Sequence, residues 1–429
     1  MPHAVAEVLL DRAFERPLDY AIPDGFEEVE VGMRVEVPLR SGTAHGTISA
    51  LKSTSAFQNL KPFLRLTHDE ALVTPELFQL AAWISRYYVT PLNRVLKSVL
   101  PPPIRKEARH KTQTWVAPTV SRNEMQQLCE KLRSRSPAQV AILDQLLQSP
   151  KGMLLSELLE KSGVSRAPIK TLLKKGVVSE REEQIDRSPI LEHAFFPVRP
   201  KVLTEEQQVT CDAIIETLGR FQPHLIHGVT GSGKTEVYLQ IIKEALNRGL
   251  GVLYLVPEIS LTSQTIERFK GRFGETKIAV LHHRLSDGEK HDTWHSIRKG
   301  EIPIVIGARS SLFSPFPNLG VIIVDEEHEA AYKQSDEVPK YHARDMAIVR
   351  GKLAGCPIVL GSATPSIESY ANALKGKYTL HTLTRRPTAS QLPDVTIVDM
   401  RSEFEKAGGF TLFSQLLLSE IEKRLKLGE

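Results

Sequence analysis

The sequence has few cysteines and no long apolar segment. Its three cysteines among 429 residues, Cys129, Cys211 and Cys356, lie far apart and show no CxxC spacing. Neither a disulfide framework nor a zinc cluster is therefore indicated, and buried thiols are expected. No apolar run approaches the roughly 20 residues that a membrane helix needs, and no basic-then-apolar signal segment is present. We therefore expect a cytoplasmic protein.

A strong excess of one charge sign is also lacking, because the formal net charge is only +4. The charge is unevenly distributed, however, since residues 101–175 contain 14 Lys or Arg against 6 Asp or Glu, a local excess of 8. Such a basic stretch favours a nucleic-acid surface. A solvated basic linker has the same composition, so charge alone leaves both interpretations open.

The length of the chain indicates several packed domains, at least three, since compact domains usually run about 100–200 residues. Residues 1–105 begin with short β-prone runs at 4–10, 33–37 and 46–50, which predict a small β-rich domain. Residues 72–99 then carry apolar side chains at helical spacing, and the prolines at 101–103 end that stretch.

The pattern of residues 106–195 predicts a winged-helix or helix-turn-helix unit. Segments of helical length at 138–147, 155–162 and 167–174 precede the apolar pair Val177-Val178. We expect Ser165 to cap the last of these helices, which carries Arg166, Lys170, Lys174 and Lys175. A basic helix of this kind would contact DNA, but such units also serve as protein-protein spacers.

Residues 200–388 change to short apolar strands that alternate with helix-length amphipathic segments. The strand candidates are 225–227, 252–256, 278–281, 304–306, 321–324 and 358–360. Near-continuous apolar strands separated by helices predict an α/β fold whose parallel sheet is covered on both faces.

A glycine-rich motif follows the first of these strands and opens a helix at 236–247. It reads GVTGSGKT and matches the phosphate-binding pattern GxxxxGK[ST] in the context that this pattern requires. Glycines let backbone N–H groups approach phosphate oxygens, Lys234 reaches the β- and γ-phosphates, and the Thr235 hydroxyl can ligate Mg²⁺. The predicted ATP-binding residues are Gly228, Val229, Thr230, Gly231, Ser232, Gly233, Lys234 and Thr235.

Acidic residues end the strand at 321–324, in the run Asp325, Glu326, Glu327 and His328. This places carboxylates at the C-terminal edge of a parallel sheet, where ligands of open α/β sheets bind. We expect Asp325 to hold Mg²⁺ and Glu326 to orient or deprotonate the attacking water. Lys234, Asp325 and Glu326 are thus the predicted catalytic residues, whereas His328 is as readily a solvated side chain.

Further motifs follow other strands: PEISLT at 257–262, GARSS at 307–311 and GSATP at 361–365. Simple P-loop kinases do not require them. Each motif puts hydroxyls or backbone amides on the same edge of the sheet, where a phosphodiester backbone could lie. We therefore expect a nucleic-acid path there that includes Arg309.

Taken in order, GVTGSGKT, PEISLT, GARSS, DEEH and GSATP resemble the motifs of the first RecA-like lobe of superfamily-two helicases. The surrounding sequence, including VIIVDEEHEAAYKQ and YHARD, resembles more narrowly the bacterial primosomal replication-restart helicases over essentially the whole chain. This resemblance implies an ATP- and Mg²⁺-dependent DNA helicase. Its expected parts are a β-rich domain that binds DNA 3′ ends (1–105), a winged helix (106–195) and a RecA-like lobe (200–388).

The resemblance also implies a pocket for a DNA 3′ end in the first domain. Asp19 and Tyr20 match the family's end-binding motif, and Lys61 lies where a basic pocket residue is expected. Leu18 stands in place of a more usual aromatic, and Arg40 stands near an expected glycine. Without the resemblance, Tyr20 would equally be a core aromatic.

Two further sites follow from the same resemblance. Gln207 resembles the glutamine that reads the edge of adenine, since one amide can both donate and accept. Residues 332–344 resemble the aromatic-rich loop that links DNA binding to hydrolysis. Read alone, this segment is a polar surface loop. With the resemblance, DNA contacts are expected from Tyr332, Lys333, Lys340, Tyr341 and Arg344.

The family pattern also includes zinc-binding cysteine pairs and a second lobe with an arginine finger. Residues 389–429 would only begin that lobe, so zinc is expected only in a part outside this sequence. The implied partners are forked DNA with a 3′ end, single-stranded DNA, single-stranded DNA-binding protein and other primosome proteins, in a nucleoid-associated location. Two other functions stay open, a DNA-stimulated duplex translocase that does not unwind and a non-enzymatic DNA-end binding module.

Overall fold

The computed structural model describes residues 4–11, 15–26, 28–105, 112–150, 152–184, 197–274, 276–282, 285–386 and 395–428. The chain divides into two compact units, Met1–Arg385 and Arg386–Glu429. Within the described ranges, no helix combines the length and the apolar character that crossing a membrane would require.

The first unit begins with an antiparallel sheet in the order β2-β1-β4-β3-β5. Its core contains apolar side chains of alternate strand positions, such as Val8, Val35 and Ile48. The predicted runs at 4–10, 33–37 and 46–50 are confirmed as β1, β3 and β4, whereas the short strands β2 and β5 were not predicted. The strands are β1 (Val5–Leu10), β2 (Leu18–Ala21), β3 (Arg34–Leu39), β4 (Gly42–Lys52) and β5 (Arg65–Leu66).

The helical stretch predicted for residues 72–99 is divided into two helices. Thr74 caps the first helix through its side chain. Pro91 directly precedes the second helix, and the fixed φ of proline suits a helix start. The buried face of the first helix, which includes Leu77, Leu80 and Ile84, belongs to the same apolar core as helix α12 described below. The helices are α1 (Pro75–Tyr87), α2 (Leu92–Val99) and the short α3 (Pro102–Arg105).

The next part of the chain has the predicted helix order, with an antiparallel sheet in the order β7-β6-β8. Helix α4 was not predicted, because it buries only Met125 and begins instead at a capping box of Ser121 and Glu124. Ser165 precedes α7 as expected, but its side chain makes no capping hydrogen bond. The elements are β6 (Thr112–Pro118), α4 (Arg122–Leu132), α5 (Pro137–Gln148), β7 (Met153–Leu154), α6 (Leu155–Ser162), α7 (Arg166–Lys174) and β8 (Val178–Gln184).

A parallel sheet then follows, whose described strands run in the order β11-β12-β10-β13-β14-β9-β15. All six predicted strands are confirmed. The additional strand β15 lies at an edge and contains three polar residues among five, so it does not form a fully apolar run and was not predicted. The strands are β9 (Pro223–Gly228), β10 (Gly251–Leu255), β11 (Ile278–Leu281), β12 (Ile304–Gly307), β13 (Leu319–Asp325), β14 (Ile358–Ser362) and β15 (Thr379–Leu383).

Helices cover both faces of this sheet. In β13, Val321 and Ile323 belong to one apolar core, and Ile322 and Val324 belong to the other. This alternation requires apolar residues at every strand position, as the sequence predicted. The helices are α8 (Glu205–Ile215), α9 (Lys234–Asn247), α10 (Ser263–Phe273), α11 (Asp287–Arg298), α12 (Ala343–Ala354) and α13 (Ile367–Leu374).

The second unit contains two described helices, α14 (Met400–Ala407) and α15 (Gln415–Lys426). Asp399 and Ser414 cap them through side-chain hydrogen bonds. No residue of α15 is buried. That residues 389–429 begin a second lobe stays a prediction.

Candidate nucleotide-binding and DNA-binding site

The glycine-rich loop lies between β9 and α9. Gly231 and Gly233 have φ values of +82° and +83°, which glycine adopts at little steric cost. Lys234 Nζ donates a hydrogen bond of 2.9 Å to the carbonyl oxygen of Gly228. The Ser232 hydroxyl is buried and has no hydrogen-bond partner in the described parts of the chain. The loop thus places an ammonium group and a buried hydroxyl at the N-terminus of α9, where the helix dipole favours an anion.

Asp325 ends β13 with its carboxylate inside the protein. Tyr254 of β10 donates a 2.8 Å hydrogen bond to Oδ2, and Tyr238 of α9 donates one of 3.2 Å to Oδ1. Burial raises the pKa of Asp325, while the Tyr254 hydrogen bond and the Lys234 charge act to lower it. A Cβ on Gly361 would lie 1.6 Å from the Tyr238 hydroxyl, so glycine leaves room for the tyrosine. The two tyrosines therefore fix the orientation of the carboxylate.

Glu326 follows Asp325 in a left-handed backbone conformation, with a φ of +46°. This conformation is uncommon for a residue with a side chain, and such strained positions cluster at functional sites. Burial raises the pKa of Glu326, the adjacent Asp325 raises it further, and Lys234 opposes the shift. A carboxylate with a raised pKa is a stronger base, which suits the predicted role towards water.

The last two residues of the acidic run connect it to the GSATP motif. Glu327 is fully buried and accepts hydrogen bonds of 2.7, 2.8 and 3.1 Å from Ser366 N, Ser369 Oγ and Arg344 Nη1. His328 Nδ1 lies 2.7 Å from Ser362 Oγ. Sequence reasoning missed the role of Glu327, because an acidic run at a strand end gives no sign that one of its members points inward.

Gln207 lies in the first turn of α8 and is buried. Its Nε2 donates a 2.7 Å hydrogen bond to the Ser232 carbonyl oxygen of the glycine-rich loop, and its Oε1 accepts one of 2.9 Å from Thr204 N. The amide retains one N–H and one lone pair beyond these bonds. The structure thus gives Gln207 a contact with the glycine-rich loop, and its contact with adenine stays a prediction.

The two aromatic rings of the loop at 332–344 face inward. Tyr332 and Tyr341 are each 1% exposed, and Tyr332 Oη donates hydrogen bonds of 2.6 and 3.0 Å to the carbonyl oxygens of Asp325 and Leu255. Arg344 is also buried and pairs with Glu327. Tyr332, Tyr341 and Arg344 are thus buried in this structure, and their DNA contacts stay predictions.

The remaining predicted DNA contacts of this region have accessible side chains. Lys333 and Lys340 are exposed, and Arg309 is partly exposed. Arg309 Nη1 donates a 2.8 Å hydrogen bond to the Lys333 carbonyl oxygen, which joins the GARSS motif to the loop. DNA contact by these three residues stays a prediction.

The predicted 3′-end residues lie on β2. The Asp19 carboxylate accepts hydrogen bonds of 2.6 Å from Ser55 Oγ and 3.2 Å from Lys52 Nζ, two partners that sequence reasoning missed. Lys61 is exposed, and its carbonyl oxygen accepts a 3.0 Å hydrogen bond from Ala21 N beside β2. Asp19 is thus joined to Ser55 and Lys52 through its side chain, and the backbone of Lys61 pairs with the end of β2.

Tyr20 and Leu18 point away from this polar group. Tyr20 is 5% exposed within the core of the β-sheet, and Leu18 packs against the same core. The Tyr20 hydroxyl lies 3.5 Å from the Pro38 carbonyl oxygen, and contact of Tyr20 with DNA stays a prediction. Contact of the half-buried Leu18 with DNA stays a prediction.

The basic side chains of α7 are exposed, as a DNA-contacting helix requires. Arg166, Lys170, Lys174 and Lys175 all face solvent. Arg166 also forms an ion pair of 3.3 Å with Glu180 of β8. The basic residues at 106, 109, 111 and 151 belong to the same predicted surface but lie outside the described residues.

Comparisons with known proteins match two family models and several whole proteins to the chain. The family model for the PriA 3′ DNA-binding domain matches residues 7–101, and that for DEAD/DEAH box helicases matches residues 204–373. The replication restart protein PriA of Chlamydia pneumoniae is 43% identical over 431 residues, which cover 99% of this chain and 57% of that protein. PriA of Bacillus subtilis (strain 168) is 37% identical over 493 residues, which cover 99% of this chain and 61% of that protein. The chain thus spans about three fifths of the length of these relatives.

Proposed function

Because the chain belongs to the family of PriA replication restart proteins, we propose that it acts in an ATP-dependent DNA helicase at branched or stalled replication forks. In this role it recognises a fork with a 3′ end, engages single-stranded DNA and helps to reload the replisome. Its further partners are single-stranded DNA-binding protein and other primosome proteins, and its location is the bacterial nucleoid.

The observation that carries this proposal is the grouping of catalytic residue types at one edge of the parallel sheet. The charge of Lys234 acts on the pKa of both Asp325 and Glu326, although the three residues come from two elements far apart in sequence. A cation at a helix N-terminus facing two carboxylates is what binding of a nucleotide phosphate with a metal ion requires.

The residues present fit ATP and Mg²⁺. The buried Ser232 hydroxyl lacks a partner among the described residues, and Lys234 Nζ donates to a backbone carbonyl oxygen of the loop itself. Gly228 to Thr235 would hold the phosphates, Thr235 and Asp325 would hold Mg²⁺, and Gln207 would contact adenine. When bound, ATP supplies the phosphoanhydride bond and Mg²⁺ neutralises its charge. Glu326 would orient the attacking water.

The buried contacts of Glu327 support a helicase over a simple kinase. Ser366 and Ser369 directly follow the GSATP motif, and Arg344 begins the helix after the loop at 332–344, so one carboxylate joins both segments to the acidic run. A change at the nucleotide would thereby reach the edge of the sheet where DNA is expected. Coupling of this kind needs a contiguous network with more than one arrangement.

The test uses a protein of the relatives' full length and a forked DNA with a 3′ end. We expect ATP-dependent strand displacement that Lys234→Ala and Glu326→Gln abolish, with Lys243→Ala on the same helix as the control. DNA-stimulated hydrolysis without displacement would instead support a duplex translocase. If the affinity for DNA changes neither when nucleotide is added nor in the Lys234→Ala variant, a non-enzymatic DNA-end module would be supported.

A further inference from the structure

An aromatic pair of a partly buried Trp83 and an exposed Tyr87 lies at the C-terminal end of α1. The rings of Trp83 and Tyr87 stack with centroids 4.6 Å apart and planes 15° apart. Tyr87 is 65% exposed, whereas tyrosine side chains usually have intermediate burial. Trp83 therefore supports one face of the Tyr87 ring while much of the tyrosine remains accessible.

Tyr88 connects this pair to the loop at 332–344 of the parallel-sheet part. The Tyr88 and Tyr87 rings form a T-shaped contact, with centroids 5.0 Å apart and planes 75° apart. The Tyr88 hydroxyl accepts a 3.1 Å hydrogen bond from His342 N. Lys333 Nζ lies 5.3 Å from the centroid of the Tyr88 ring and donates a 2.6 Å hydrogen bond to the Lys340 carbonyl oxygen. The exposed Tyr87 ring is therefore linked through the partly buried Tyr88 to the exposed Lys333.

The backbone after α1 holds these rings in place. Val89 has a φ of +48° and is 89% exposed, so a β-branched residue occupies a strained conformation without burying its side chain. The Ser85 hydroxyl and the Thr90 carbonyl oxygen, 2.7 Å apart, close the turn around it. Strain of this kind is characteristic of functional sites.

The chemistry of the surface favours nucleobases over a charged partner. Arg86, Lys333 and Lys340 are exposed, but so are Asp336 and Glu337 of the same loop. A mixed charge gives no strong attraction to a polyanion or a polycation. Stacked aromatic rings with a neighbouring cation bind the faces of unpaired bases. The free energy of this stacking does not depend on the net charge of the surface.

We propose that Trp83, Tyr87 and Lys333 form a base-stacking platform for single-stranded DNA at the seam between the first domain and the helicase lobe. The proposal rests on the proposed function, because it concerns the path of the DNA strand. The platform supplies the exposed stacking ring that the buried Tyr332 and Tyr341 do not. A base on Tyr87 touches Tyr88, whose hydroxyl holds the backbone of the loop at His342.

The test measures binding of a fluorescein-labelled oligo(dT) of 20 nucleotides to the 429-residue chain by anisotropy. We expect Tyr87→Ala to weaken binding about 5- to 150-fold, the effect of losing one base-aromatic stack. Tyr87→Phe keeps the ring and should bind within about twofold of wild type. Phe413→Ala removes an exposed aromatic of the second unit and serves as the matched control. The salt dependence of binding should be unchanged in Tyr87→Ala, because stacking releases no counterions.

Wild-type affinity in Tyr87→Ala, or an equal loss in Tyr87→Phe, would overturn the platform. A wild-type chain that fails to bind the oligonucleotide would instead count against the proposed function as well. If circular dichroism shows that Tyr87→Ala does not fold, the platform is tested instead by photocrosslinking the wild-type chain to an oligonucleotide that contains 5-iodouracil. Adducts at Trp83 or Tyr87 support the platform, and adducts found solely elsewhere contradict it.

Discussion

Arg344 and Lys340 are four residues apart and have opposite environments. Arg344 is buried against the fully buried Glu327, while Lys340 is exposed. Both are cations near a candidate DNA path, so residue type alone gives them the same role. Their exposure separates a structural ion pair from a possible phosphate contact.

Replacing Arg344 by Met should lower the free energy of unfolding by about 3–5 kcal/mol, because it leaves the buried Glu327 carboxylate without its countercharge. Lys340→Met should change stability by less than about 0.5 kcal/mol, as exposed substitutions usually do. Urea denaturation followed by circular dichroism measures both. An Arg344→Met variant with wild-type stability and weakened DNA binding would contradict the structural ion pair and support the DNA contact predicted from the sequence.

Asp19 gives a second prediction at the scale of the residue. Its carboxylate accepts bonds from Ser55 and Lys52 and has about four lone-pair sites, so a DNA 3′-OH can be added. We expect forks with a 3′-OH to bind better than forks with a 3′-phosphate, by about 1.5–3 kcal/mol for a hydrogen bond to a charged acceptor. Asp19→Asn should reduce this preference, and Asp24→Asn, an exposed carboxylate of the same domain, should keep it. Equal anisotropy curves for the two forks with wild-type protein would refute the pocket.

At the scale of the element, α7 combines a buried apolar side with an exposed basic side. Ile169 and Leu172 are fully buried, whereas Lys170 and Lys174 face solvent. If this helix lies on duplex DNA, each lysine that neutralises a phosphate adds about 0.9 to the slope of log affinity against log salt. The double change Lys170→Gln and Lys174→Gln should therefore lower that slope by up to about 1.8 for forked DNA.

The matched control for α7 is Lys423→Gln with Lys426→Gln, two exposed lysines of α15. These changes alter the net charge equally but lie in the second unit. The slope is measured by titration at several salt concentrations. If it stays at the wild-type value in the α7 variant, this helix does not contact the DNA phosphates.

At the scale of the whole molecule, the first domain and the helicase lobe share a continuous interior. Arg350 of α12 is fully buried and donates a 2.7 Å hydrogen bond to Glu76 of α1 and one of 2.8 Å to the Ser314 carbonyl oxygen. It also donates to the carbonyl oxygen of Leu312. The helices α1 and α2 therefore share an apolar core with the lobe, although they follow the β-sheet of the first domain in sequence.

The rate of ATP hydrolysis by the candidate nucleotide site also belongs to the scale of the whole molecule. The chain supplies Gln207, the glycine-rich loop, Asp325 and Glu326, which form one wall. We expect it to bind ATP with Mg²⁺ weakly and to hydrolyse ATP about 10³–10⁵ times more slowly than a protein of the relatives' length, since an arginine finger contributes that factor in related P-loop enzymes. Water left in the cleft would also weaken each electrostatic contact.

The measurement compares DNA-stimulated phosphate release by the 429-residue chain and by a protein of the relatives' length. Glu326→Gln in both proteins gives the background rate. Comparable turnover by the two proteins would show that the catalytic arginine lies within residues 1–429, with Arg385 and Arg386 as the first residues to replace.

The sequence by itself determined the features that depend on local pattern. Six apolar strands of the parallel sheet, the glycine-rich loop and the acidic end of β13 were predicted, because a strand buried on both faces requires apolar residues throughout. The edge strand β15 was missed, since it is buried less completely. The turn at Val89 was missed as well, because nothing in the residue type predicts a left-handed valine.

The tertiary structure alone decided which functional side chains are accessible. The hydroxyl of the buried Tyr332 reaches the carbonyl oxygen of Leu255 on β10, whereas Tyr87, at the end of α1, is 65% exposed. Glu327 points inward because Arg344 and two serines lie where its carboxylate can be paired. Burial depends on partners that are distant in the chain, and a local pattern carries no information about them. The sequence therefore determined the chemistry of the sites, and the packing of distant segments decided which residues can take part in it.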